Sequence, residues 1–451
     1  VLNVDDSTSS TVQCERTNAS QWCSLHNVAF DDGDFLITDP TSSLELPEPW
    51  HPAMGAAKHW GPQRGVNLVR RFADDPQGCD RGIHHQAFFF ALPQLDDHFD
   101  VINAGFLALY TTVHRAAQMS VGGFSFVRIN PHETLLFTNV GAPVESGLGR
   151  YTRLFRTLSQ KPIISLSEMR SHGRLCFDRV HIGLSGDLDL ANPELDTQQT
   201  TQHVAEMNTF VDKVFGLSPL DRSLVPVLLL VSRQWPRNVN NEHEIIEMAR
   251  DLGFAPRVVR FEEMDIEEQI SSVRNASVLV GIYGAGLANA VFMPRGSVVV
   301  QILPFGLSGH LGDKFRHAAE VGPGHYLELS LDVHTTGTWP WQPPPDCFTF
   351  EGAERLWRWH REGHQDDHGV HGDVFGHSDH DGHDHEGHAD YDGTHGHVTA
   401  EKLYTGVGDL RVPIPRLTDV LRQAKDKLSQ ATTATWVPNM AAFGRQAMVV
   451  E

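Results

Sequence analysis

From Val225 to Leu303 the chain alternates short, unbroken apolar runs with longer amphipathic stretches. "VPVLLLVSR", "APRVVRF", "SVLVGI" and "GSVVVQIL" have strand length. Their lack of in/out alternation predicts strands buried on both faces, as in parallel sheets covered by helices. "NNEHEIIEMARDLGF" and "DIEEQISSVRNA" carry helical spacing, with Asn240, Asn241 and Asp265 at the starts and Gly253 at a stop. "GAGLANAVFM" predicts a short helix. Strands alternating with helices predict a parallel sheet with right-handed crossovers, a Rossmann-like domain over about 201–345.

Before it, "QWCSLHNVAFDDGDFLI" predicts two strands joined at Asp32-Gly33. "HETLLFTNV", "KPIISL" and "RLCFDRVHIGL" predict strands; "AGFLALYTTVHRAAQM" and "QHVAEMNTFVDKVFGL" predict helices. The expected organisation is an irregular segment 1–60, an α/β domain 61–200, the domain 201–345, an insert at 360–397 and a tail 398–451 with one helix, "IPRLTDVLRQAKDKLSQA". The insert changes the pattern completely. Ten of the 27 histidines lie between His364 and His397, interleaved with Asp and Gly, a composition that cannot bury a core and predicts disorder. Its imidazoles and carboxylates suit Zn, Ni or Cu, but their irregular spacing defines no geometry.

The 451 residues carry a formal net charge of -21 with no basic stripe, which argues against a nucleic-acid phosphate binder. No apolar run reaches the roughly 18–20 residues that span a bilayer. The expectation is a luminal portion whose N-terminal anchor lies outside the chain. Five cysteines form no CxxC pair, which argues against a zinc ribbon. Cys14 and Cys23 are near enough in sequence to close a short loop, and an odd total leaves one thiol over. Asn18 and Asn275 head N-x-S/T triplets; the second precedes a strand and is expected to be crowded.

The candidate chemistry sits at strand ends. Gly281, Gly284 and Gly286 let a ligand approach the backbone, and amides at a helix start favour an anion. Ligands of parallel α/β sheets bind beyond the carboxyl ends of strands. The spacing is neither a dinucleotide fingerprint nor a Walker loop. Arg233 and Arg237, after another strand of the same domain, would offer two guanidinium forks to a diphosphate. The bland alternatives are a tight packing turn and a solvated basic turn.

Together these residues resemble glycosyltransferase family 61, which includes plant xylosyl- and arabinosyltransferases and animal protein O-linked N-acetylglucosaminyltransferases. Its R-x-x-x-R-x-I/V-x-N-E element is matched by Arg233, Arg237, Val239, Asn241 and Glu242. Its H-G-A-G-L-T-N, F-x-P-x-G and V-x-Q/E-I-x-P elements are matched by Gly284, Ala285, Gly286, Leu287, Asn289, Phe292, Pro294, Gly296, Gln301, Ile302 and Pro304. The match is dense over about 225–306. "CFDRVHIGL", "FDVINAGFLALY" and the segment with Cys14, Trp22, Cys23 and Asn27 are thinner likenesses. Tyr283 stands where the family has His, and Asp100 and Ala104 where its N-terminal helix has His and Asp.

The resemblance implies a GT-B type α/β fold, two Rossmann-like domains facing a cleft, with the final helix returning to the N-terminal domain. It implies an inverting glycosyltransferase moving xylose, arabinose or N-acetylglucosamine from a UDP-sugar to a hydroxyl of a glycoprotein or polysaccharide. No cofactor and no metal are expected. Donor-binding residues would be Arg233, Arg237, Asn241, Tyr283, Gly284, Ala285, Gly286, Leu287, Asn289 and Gln301. The catalytic base would come from Asp97, His98 and Asp100, with Asp100 aligned to the family His. The expected location is the Golgi or endoplasmic reticulum lumen, as a type II membrane protein. A non-catalytic nucleotide- or sugar-binding protein on the same fold, or a metal-buffering protein, are the rival readings.

Overall fold

The computed structural model describes residues 10–16, 21–38, 67–71, 78–92, 95, 97–120, 131–138, 144–186, 188–191, 196–217, 225–233, 237–304, 310–332 and 410–433. The His/Asp-rich insert, Asn18 and Cys347 lie outside them.

Fourteen strands form two sheets among the described residues. The first contains β1 (Thr11–Arg16), β2 (Gln21–Asp31), β3 (Asp34–Thr38), β4 (Asn67–Arg71), β5 (Arg81–Ile83), β6 (Gln86–Phe90), β7 (Thr134–Thr138), β8 (Ile164–Ser165) and β9 (Leu175–Ile182). Its main order is β4-β3-β2-β9-β6-β7-β8, with β1 on β2 and β5 on β9. The β2–β3 hairpin turns at Asp32 and Gly33, both at positive φ (46° and 101°), as the right-handed strand twist demands of a two-residue loop. Disulfides Cys14–Cys23 and Cys79–Cys176 tie β1 to β2 and the approach to β5 to β9.

The second sheet holds β10 (Val227–Val231), β11 (Ala255–Val259), β12 (Val278–Ile282), β13 (Val298–Leu303) and β14 (His325–Ser330), in the order β11-β10-β12-β13-β14 and wholly parallel. Every residue of β12 and β13 is buried, the reason these runs lack alternation. Asp265 caps its helix in a capping box with Glu268. Asn241 caps nothing with its side chain. Its Oδ1 accepts the Val412 amide at 3.0 Å and its Nδ2 donates to the Val412 carbonyl at 2.9 Å, docking residues 410–412 beside the turn that carries Arg237. The predicted helix after the glycine loop is a 3-10 helix, Ala285–Phe292. The helix His310–Val321 and β14 had no counterpart in the sequence reading, because β14 is only partly buried and its pattern is weak. The terminal helix Ile414–Thr433 packs on β13, β14 and the helix Glu242–Asp251. It thus lies on the five-stranded sheet instead of returning to the first: its apolar side, with Leu417 and Leu421 fully buried, has its partner there. Asn275 is exposed at the end of its helix, its Nδ2 donating to the Ser271 carbonyl at 2.8 Å, contrary to the expected crowding.

One apolar cluster runs through both halves and includes Phe99, Tyr151, Phe155, Tyr283, Leu287 and Phe315. Phe99 meets Phe315 edge-on at 5.4 Å, and Phe315 meets Tyr283 at 5.2 Å. Polar links accompany them: Arg153 pairs with Glu267, and Arg274, 7% exposed, pairs with Asp212 at 2.7 Å and donates to the Asn208 carbonyl at 2.9 Å. Arg274→Leu would leave the half-buried Asp212 and the Asn208 carbonyl without their partner, and a loss of about 1–2 kcal/mol is expected; urea denaturation measures it, and an unchanged midpoint would show that the pair is dispensable.

Candidate functional site

A cavity of about 300 Å³ opens at the carboxyl edge of the parallel sheet. Val231, Arg233 and Ile282 line it from strand ends, and Gly284, Ala285, Gly286 and Leu287 from the glycine loop. Phe261, Glu262 and Gln269 close one side; His98 and Arg150 come from the other half of the chain. Its size falls at the lower end of small-ligand pockets.

The glycines are required by space. Gly284 has φ 165°, extended backbone open to any residue, but a Cβ there would overlap Arg233 Nη1 and lie 3.7 Å from Arg237 Nη1. A Cβ on Gly281 would lie 2.9 Å from Leu287 Cδ2, and one on Gly286 3.3 Å from Phe261 Cδ2. The two arginines and the loop therefore converge. Arg237 Nη1 donates to the Tyr283 carbonyl at 2.6 Å, and its backbone is held at φ 69°, a left-handed conformation costing about 1–2 kcal/mol for a non-glycine residue. Burial pulls the Arg233 pKa below its ordinary value, opposed by the charges of Glu262 and Asp97. The half-buried guanidinium is therefore held between carboxylates from two segments.

The expected catalytic turn reaches the same place. Asp97 Oδ1 accepts the amides of Phe99 at 2.8 Å and Asp100 at 3.3 Å, capping the helix that starts at His98. His98 is buried and lines the cavity; Asp100 is half-buried and is not among the lining residues. The helix runs through a π-helical stretch, Val101–Leu107, all buried. Such stretches are rare and often mark functional sites. Within it Asn103 donates to Asp189 Oδ1 at 2.8 Å and accepts the Leu190 amide at 2.9 Å.

Of the other expected donor residues, Arg237, Asn241, Tyr283, Asn289 and Gln301 are not among the lining residues. Tyr283 packs on Phe315 and is 3% exposed. Fully buried Asn289 donates to Gln269 Oε1 at 2.9 Å. Gln301 accepts from Tyr326 OH at 3.1 Å, under the strand β14. Arg150, Glu262 and Gln269 were not legible in the sequence, where no local pattern distinguishes them from surface residues. Arg150 Nη1 donates to the carbonyls of Phe261 (3.4 Å) and Glu262 (3.3 Å), and its guanidinium lies 5.2 Å from the Tyr151 ring centre. Among the described residues no group of His, Cys, Asp or Glu is arranged to hold a metal.

Burial lowers the His98 pKa to about 4, the neighbouring Asn289 side chain opposing, Arg150 adding to the fall and Asp97 opposing. Burial likewise lowers His181, which stacks on Phe88 at 4.7 Å, to about 3, with Arg179 and His26 adding. Both imidazoles are neutral in the native state at neutral pH. The unfolded chain takes up protons near pH 6.5 that the native state refuses, so their contribution is complete above pH 6.5 and lost as pH falls toward 4, on the order of 3 kcal/mol each. A melting temperature that stays flat from pH 7 to 4.5 would contradict this.

The glycine loop and the Arg233 guanidinium thus stand at the carboxyl edge of a parallel sheet, the edge at which ligands of such sheets bind. Residues 111–300 match the model of the family Glycosyltransferase 61. Over this region the chain is similar to family 61 glycosyltransferases. It is 32% identical over 168 residues to a beta-1,2-xylosyltransferase of Oryza sativa subsp. japonica, covering 35% of this chain and 29% of the relative. An alpha-1,3-arabinosyltransferase of the same plant is 28% identical over 201 residues, 41% of this chain and 33% of the relative. The mouse protein O-linked-mannose beta-1,4-N-acetylglucosaminyltransferase 2 is 28% identical over 173 residues, 36% and 30%. The alignments thus span about a third of these relatives' length.

Proposed function

We propose that the chain is an inverting glycosyltransferase of GT-B arrangement that takes its sugar from a UDP-sugar bound in this cavity. The observation that carries the reading is the Arg233 guanidinium seated against the bare backbone of Gly284. Arg233 and the amides of Gly284 to Gly286 would hold the diphosphate and take up its developing charge as the glycosidic bond breaks, with Arg237 fixing the loop through the Tyr283 carbonyl. No metal or other cofactor is required for that. The acceptor hydroxyl enters from the side of the first sheet and gives its proton to a carboxylate of the acidic turn, Asp97 or Asp100. Asp97 has the stronger electrostatic case, since its charge acts on Arg233. The relatives support a xylose, arabinose or N-acetylglucosamine donor and a glycan or glycoprotein acceptor. Two disulfides support an oxidising compartment, the Golgi or endoplasmic reticulum lumen. No helix among the described residues is long and apolar enough to cross a membrane.

A panel of nucleotide sugars tests the donor. One UDP-sugar is expected to raise the melting temperature of the full chain and to be transferred to water or an added glycan, read by mass spectrometry. Stabilisation by a ligand at 100 times its Kd amounts to about 2.7 kcal/mol, so a true donor is visible. No shift with any uridine nucleotide would sink the reading. Tyr283, packed away on Phe315 where the family has His, favours one alternative: a non-catalytic nucleotide-binding protein. That alternative predicts stabilisation without transfer.

A further inference from the structure

His98 stands in a row of buried polar side chains that crosses from one half of the protein to the other. Tyr151 OH lies 3.0 Å from His98 Nδ1, and the two rings stack 5.7 Å apart. The other side of the imidazole faces the side chain of Asn289. His98 Nε2 and Asn289 Oδ1 are both buried and neither has a hydrogen-bond partner, so the unmet donor and the unmet acceptor can satisfy one another. Asn289 Nδ2 then donates to Gln269 Oε1 at 2.9 Å. Gln269 Nε2 ends the chain by donating to the carbonyls of Phe261 at 2.9 Å and Met264 at 3.1 Å.

The far end fixes the polarity of every link. Backbone carbonyls only accept, so the Gln269 amide must present its nitrogen to Phe261 and Met264 and its oxygen to Asn289. Asn289 therefore turns its nitrogen to Gln269 and its oxygen to His98. The oxygen needs a donor, which places the imidazole proton on Nε2 and leaves Nδ1 to accept from the Tyr151 hydroxyl. Both nitrogens are then committed. Charges facing the ring, Asp97 and Arg150, come from its own turn and from the residue before Tyr151; Arg233 lines the same cavity.

From this we infer that Tyr151, His98, Asn289 and Gln269 form a strut of fixed polarity that holds the glycine loop in register with the acidic turn, and that His98 is a positioning residue and takes no proton from the acceptor. Asn289 sits on the 3-10 helix that follows Gly284, and Gln269 itself lines the cavity. A break in the strut would therefore shift the loop amides and the cavity wall together. The functional half of this inference rests on the donor reading above.

The test compares His98→Gln with His98→Phe in the full chain. Glutamine keeps an N–H donor near the place of Nε2 and cannot act as a base; phenylalanine keeps the ring and loses both links. UDP affinity by calorimetry is expected to stay within about threefold of the parent in His98→Gln and to weaken tenfold or more in His98→Phe. Gln269→Met, which breaks the strut at its other end, is expected to weaken UDP similarly. Transfer by His98→Gln should keep the parent's pH profile. Melting curves are recorded beside these. His98→Gln should lose part of the acid destabilisation between pH 6.5 and 4 while matching the parent at pH 7, and His98→Phe should melt lower throughout. A His98→Gln protein that binds UDP normally but has lost transfer would restore His98 as the base and overturn the inference. So would a His98→Phe protein as stable as the parent and equal to it in UDP affinity. If the parent binds no UDP, the donor reading fails, and the melting curves alone decide the strut: equal losses in the Gln and Phe variants would refute it.

Discussion

Arg233→Ala is expected to weaken UDP binding by about 100-fold or more while leaving the melting temperature of the free protein nearly unchanged. Each hydrogen bond between a charged donor and a ligand oxygen contributes about 1.5–3 kcal/mol. A guanidinium gripping a diphosphate makes two, and 1.4 kcal/mol is a factor of ten. The free protein loses little, because burial already disfavours the Arg233 charge. Removing it also leaves Asp97 and Glu262 facing the vacated place, which repels the incoming diphosphate. Arg233→Lys is expected to recover only part of the affinity, since a point charge cannot reproduce the planar fork. Calorimetric titration with UDP reads all three proteins. An Arg233→Ala protein with the parent's Kd would remove the basis of the proposed function.

The second large effect comes from one methyl group. Gly284→Ala places a Cβ on Arg233 Nη1. The clash is with the far end of a flexible side chain, and φ at 165° suits alanine, so the fold is expected to lose under about 1 kcal/mol. The guanidinium must swing aside, and the ligand can no longer reach the bare backbone; a 10- to 100-fold loss of UDP affinity follows. Gly281→Ala is the contrasting control. Its Cβ meets Leu287 at 2.9 Å and Val231 at 3.3 Å inside the core, so this variant is expected to lose stability by about 1–3 kcal/mol. If Gly284→Ala lowers stability as much as Gly281→Ala and spares UDP, the loop is a packing turn and not a ligand cradle.

The sequence carried the second sheet almost whole. The runs at Val227, Val278 and Val298 are uninterrupted because both faces of those strands are covered, and burial on both faces is written directly into composition. Asp265 and Asp32-Gly33 were legible for a similar reason: a cap and a two-residue turn are decided by neighbours in the chain. Asn241 shows the limit. It has the residue type of a cap, but a segment 171 residues away claims its amide. The place of the final helix was likewise unreadable, since its apolar stripe states that it needs a partner and not which one.

The sequence by itself determined the alternating strands and helices and the residues that would stand at the strand ends, because local periodicity and local hydrogen bonding fix both. Only the tertiary structure decided what meets there. It brought Arg150 and His98 to the loop at Gly284, left Tyr283 on Phe315, and set Asn289, bonded to Gln269, beside His98. Such meetings depend on how two separately patterned halves dock, and the polar side chains at the seam carry no periodicity that records their partner.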